Sequence, residues 1–122
     1  MNDRELLELA ARAAGIKARW FRVNQWRQVG GHKMQTGQED VFGTHHSKPW
    51  NPLTDDGDAL RLAVKLGLVV TPDRENQRTL VSNQAGHEYC AIYWGKLGEM
   101  ASTRLAITEA AAEIGKSMGG GE

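Results

Sequence analysis

The sequence predicts an α+β domain in which three helices cover a mainly antiparallel sheet of about four strands. Three observations lead there. Residues 2–15 and 54–67 each carry apolar side chains at helical spacing, open on a side chain able to cap a helix and close on glycine. A third segment, from 97 or 99 to about 117, sets Met100, Arg104, Ile107, Ala111, Ile114 and Met118 on helical spacing. Between the second and third helices, LVVTPD, RTLVSN and EYCAIYW follow one another as short β-rich runs with turn signals at 73–77 and 83–86, which is the pattern of an antiparallel meander.

Taken in order, the first helix is capped by Asn2 or Asp3, places Glu5 where the macrodipole favours an anion, and ends at Gly15. Leu6, Leu9, Ala10 and Ala13 form its apolar stripe. IKARWFRV, residues 16–23, reads as a strand with Ala18, Trp20 and Arg22 on one side and Lys17, Arg19, Phe21 and Val23 on the other. Neither side is purely apolar, so an edge position is expected. Over 24–49 periodicity fades and glycines recur, giving a long inserted loop or loose hairpin with a short strand near Val41 and Phe42. A connection of that length is where function tends to sit. The second helix starts at Asp55 or Asp56 and ends at Gly67.

With 122 residues the chain suits one domain, which buries about two thirds of its surface on folding. We expect one globular unit over 1–118 and a disordered tail over 119–122. Hydrophobic residues make up 40% and charged residues 25%, enough for both a core and a soluble surface. The longest apolar run, 63–70, is broken by Lys65 and Gly67 and falls short of the roughly 18 residues that a membrane span needs. The charged opening MNDRELLELAARA does not read as a secretory signal, so a cytoplasmic protein that avoids membranes is expected. The one cysteine, Cys90, sits in a strand-like run and reads as a small core residue.

The cluster Asp55, Asp56 and Asp58 is the most motif-like feature. Counted as a calcium loop from Asp55, the sixth and twelfth positions are Leu60 and Leu66, where glycine and glutamate are required. Helix initiation accounts for the same residues: a cap, a capping-type spacing from Asp55 to Asp58, and carboxylates at the positive end of the dipole. His32, His45, His46 and His87 lack metal-ligand spacing. Neither a phosphate loop nor a nucleophile elbow is present, so no catalytic residue, metal or cofactor is expected.

Charge is balanced overall, at 15 basic and 15 acidic residues, yet no acidic residue lies between Glu8 and Glu39. Arg19, Trp20, Arg22, Trp26, Arg27 and Lys33 fall in that window. Cations interleaved with aromatics suit a partner surface, and specifically a single-stranded backbone with stacked bases. The competing reading places Trp20 and another aromatic in the core and the arginines on a solvated face.

NDRELLELAARAAGI, WNPLTDDGDALRLAVKLGL and ASTRLAITEAAAEIGKSM resemble, in this order, the small phage and prophage proteins of the phage ABA sandwich family. The resemblance covers both ends and the middle of the chain but not 24–49. It implies an α-β-α sandwich, a bacteriophage or prophage origin and an uncharacterised role. It also marks Trp50, Asn51, Pro52, Asp55, Asp56 and Asp58 as a structural motif, with Arg104 as its polar companion. The expected function is that of a non-enzymatic accessory protein that binds a host or phage macromolecule, foremost a protein, in host takeover or counter-defence. The alternatives are a nucleic-acid or nucleotide binder using 17–33 and, behind it, a magnesium-dependent hydrolase using the aspartates.

Overall fold

The computed structural model describes residues 1–45 and 48–119. In chain order these form α1 (Asp3–Ala14), β1 (Arg19–Val29), β2 (His32–Thr44), β3 (Lys48–Pro49), α2 (Asp56–Leu66), β4 (Val69–Asp73), β5 (Arg78–Ser82), β6 (Glu88–Tyr93) and α3 (Glu99–Met118). Among the described residues no helix is long and apolar enough to cross a membrane. The fold is α+β, with three helices as expected.

The strands differ from the single sheet of about four that the sequence suggests. They form two antiparallel sheets of three strands each, ordered β1-β2-β3 and β4-β5-β6. The basic strand does not join the meander because a tight local turn brings β2 back along β1, and closing a short loop is entropically cheaper than pairing with a distant strand. The other edge of β2 is taken by β3 through Gly43 opposite Pro49 and Thr44 opposite Lys48.

Of the two readings of 24–49, a long inserted loop or a loose hairpin, the hairpin is the one formed, and most of the region is strand. Val29 faces His32 across Gly30 and Gly31, whose φ angles of 56° and 85° are those a two-residue hairpin turn with positive φ at both centres demands. From that turn the register runs unbroken to a bulge at Gln25/Trp26, then on to Arg19 opposite Gly43.

Helix α3 organises the packing. Helices α1 and α2 lie against it, and it lies against β5 and β6, so the meander holds α3 while α1 and α2 are held mainly by α3. Small residues make this possible: Ala10, Ala11 and Ala14 of α1 meet the Ala106, Ala110 and Ala111 region of α3 in one core with Leu62, Ala63 and Val81. At Gly115 the approach is backbone to backbone, since a methyl there would overlap the Leu9 carbonyl oxygen. Polar groups in this core are matched. Trp94 Nε1 donates to Thr79 Oγ1 at 2.9 Å, Thr79 shares a hydrogen bond with Thr103 at 2.7 Å, and Ser102 donates to the Tyr93 and Trp94 carbonyls. Of the expected tail, Gly119 ends α3 and the rest lies outside the described residues, as does His46.

Candidate functional site

The basic aromatic residues fall into two groups along the β1–β2 hairpin. At its base, pairing and alternation place Trp20, Arg22, Phe42 and Asp40 on one face, the face that meets α1. The Trp20 ring lies 4.9 Å from Phe42, its Nε1 donates to Glu8 Oε2 at 2.9 Å, and the Arg4 guanidinium stacks over it at 3.8 Å. Asp40 holds Arg4 and Arg22, each at 3.5 Å. Trp20 is therefore a packing residue, and Arg22 is turned toward a carboxylate on its own hairpin.

Beyond Val23 and Glu39 the hairpin leaves the body as a two-stranded ribbon. Every residue from 24 to 38 except Gly37 is exposed. Trp26, Val29 and Met34 are 59%, 44% and 52% exposed. Trp26, Gln28, Lys33 and Gln35 share one face, while Arg27, Val29, His32 and Met34 share the other. The register is fastened by Asn24, whose Oδ1 accepts from Gln35 at 3.1 Å and Gln38 at 2.9 Å. Arg27 and Lys33 thus stand on opposite faces of an element that carries no carboxylate between 24 and 38.

Arg19 begins β1 and borders a cleft of about 830 Å³ between α1 and the hairpin base, together with Glu8, Lys17, Trp20, Phe42 and Thr44. The sequence-predicted binding residues are consequently divided: Arg19 and Trp20 belong to the cleft, Trp26, Arg27 and Lys33 to the ribbon, with Arg22 between them. Met34, Gln35 and Gln38 are ribbon residues that the window ending at Lys33 leaves out. The Gly-Gly turn and the continuation of the acid-free stretch to Gln38 are the signals that include them.

The aspartate motif forms a different structure. Asp55 is the N-cap of α2, accepting from Asp58 N at 2.7 Å. Asp58 in turn accepts from Asn51 N at 2.9 Å and from Arg61 at 2.8 Å. Asn51 accepts from Leu53 N at 2.9 Å, folding the turn in which Pro52 is fully buried and Trp50 reaches the core against Phe42. Asp56 meets Arg104 Nη1 at 2.6 Å, and Arg104 Nε also donates to the Leu53 carbonyl at 2.9 Å. Each of the three aspartates has a structural partner. Among the described residues no three metal-ligating side chains gather.

Cys90 and Asp73 are among the groups outside these surfaces whose ionisation is shifted. Burial, reinforced by Glu109, Glu88 and Glu113, pushes the Cys90 thiol up to about 12, and its Sγ donates to the Ala106 carbonyl at 3.2 Å. Hydrogen bonds from the Asn76 side chain and from Arg78 hold the Asp73 carboxyl below its ordinary range, at the turn between β4 and β5. Neither points into the cleft or the ribbon. In comparisons with known proteins, no family model, no curated protein and no solved structure matches this chain.

Proposed function

We propose that this chain is a non-enzymatic binding protein whose contact element is the β1–β2 ribbon, working as a bacteriophage or prophage accessory factor on a host or phage macromolecule. The observation that carries the reading is the ribbon itself. Residues 24–38 add nothing to the core, yet they expose Trp26, Val29 and Met34 together with two cations and four glutamines. An extended element that buries nothing in its own body and displays aromatic and cationic side chains has the composition of a contact surface. Its open backbone edges also offer unpaired N–H and C=O groups to a partner. The phage assignment rests on the resemblance of the three sequence blocks.

The test is capture from an extract of phage-infected bacteria, comparing the full chain with one in which Val23 is joined to Glu39 through Asn-Gly. Those two residues face each other in the register, so the shortened hairpin closes with a favoured two-residue turn. Macromolecules retained by the full chain and lost from the shortened one support the reading. Identical capture by both chains contradicts it.

A second reading, a nucleotide or other small anion in the cleft, is favoured by Lys17 and Arg19 beside the Trp20 and Phe42 rings. Titration calorimetry with nucleoside phosphates tests it, and Arg19→Ala should abolish any heat of binding that arises there.

A further inference from the structure

We infer that the β1–β2 ribbon enters the major groove of double-stranded DNA. The inference rests on the reading of the ribbon as the contact element and names its partner. Charge is the first argument. Although the chain is neutral overall, the ribbon over 24–38 carries Arg27 and Lys33 and no carboxylate, so its field is locally positive. Because the two cations leave opposite faces, phosphates on both sides of a groove are within reach.

Shape is the second argument. Two strands lie about 4.8 Å apart, and with its side chains such a ribbon fits the major groove of B-form DNA, about 12 Å wide. From Val23 to Val29 the ribbon projects about 20 Å at roughly 3.3 Å per residue, long enough to reach the groove floor while the body stays outside. The deep, narrow major groove of duplex RNA admits no such element.

Side-chain chemistry is the third. Gln28 stands on one face with Trp26, and a glutamine amide pairs with adenine N6 and N7 in the major groove while an apolar ring suits a thymine methyl. Single strands are the weaker fit. Stacking needs successive exposed rings, and Trp20 is committed to Phe42, Glu8 and Arg4, leaving Trp26 alone on the ribbon.

Fluorescence anisotropy with labelled duplex DNA, the matching single strand and duplex RNA, over a series of salt concentrations, tests this. If Arg27 and Lys33 each neutralise one phosphate, log K for duplex DNA should fall with log salt at a slope of about −1.8. The double variant Arg27→Ala/Lys33→Ala should lose that slope and bind about tenfold more weakly at low salt, with its melting temperature unchanged because both residues are exposed. Gln28→Ala should keep the slope and lose preference for A·T-rich duplexes. Tighter binding to the single strand or to duplex RNA overturns the groove assignment, as does undiminished duplex affinity in Arg27→Ala/Lys33→Ala. Absence of duplex binding at low salt overturns it too, and if extract capture still depends on the ribbon in that case, the ribbon remains the contact element and its partner is another macromolecule.

Discussion

Arg104 ties α3 to the start of α2 through two bonds of unequal weight. Its ion pair with Asp56 lies at the surface, with Asp56 63% exposed, and surface pairs contribute about 0–1 kcal/mol. Its bond to the partly buried Leu53 carbonyl is worth more, because that oxygen loses its partner when the guanidinium is removed. Arg104→Ala should therefore lower unfolding free energy by about 1–3 kcal/mol, and Asp56→Asn by less than about 1 kcal/mol, in urea titrations. Asp55→Ala should cost about 1 kcal/mol through loss of the cap. The aspartate motif was legible in the sequence as a helix start, because capping is a local property of spacing. What Asp58 does for Asn51 was not, since a side chain reaching back seven residues to a backbone amide depends on a turn that only the folded chain defines.

Cys90 gives a pH prediction at the same scale. Its folded thiol titrates near 12, whereas an unfolded thiol ionises from about 8.5. Between those values the unfolded chain binds fewer protons than the folded one, so stability falls as pH rises. The loss should begin near pH 9 in urea titrations across a pH series and be absent in Cys90→Ala. Thiol reagents should likewise label the folded chain slowly at neutral pH.

Among the elements, α1 and α2 were readable because each carries its own punctuation: Asn2 and Gly15 bound α1, Asp55 and Gly67 bound α2, and all four act as caps. The ribbon was legible only as one of two alternatives, a long loop or a loose hairpin, for a physical reason. Strands announce themselves by alternating burial, and the outer part of β1 and β2 is exposed on both faces, so polar and apolar residues follow no period of two. Gly30-Gly31 was the one local signal available. A two-stranded ribbon without a covering layer is marginally stable, so its amides should exchange with solvent faster than those of β1 and β2 at Trp20 and Phe42. Hydrogen exchange followed by mass spectrometry should show this gradient, with protection rising over 24–38 when the partner is added. In α3, Gly115→Val should be strongly destabilising, by about 3 kcal/mol or more, because the obstructing group is the Leu9 backbone and has no rotamer to escape into.

Over the whole molecule, the packed core and the exposed ribbon occupy different parts of the chain. The body is held by α3 against α1, α2 and the meander, while the ribbon adds exposed surface and charge. That separation is what a single sheet of four strands would have denied, since a strand paired into the meander would have had to bury one of its faces. Removing 24–38 should consequently leave the melting temperature within about 4 °C of the full chain, because no buried side chain is lost. The most direct test of the account is the affinity of this shortened, folded chain for duplex DNA at low salt, measured beside the full chain. The account predicts binding by the full chain and none by the shortened one; equal affinity of the two would place binding in the body and contradict the role given to the ribbon.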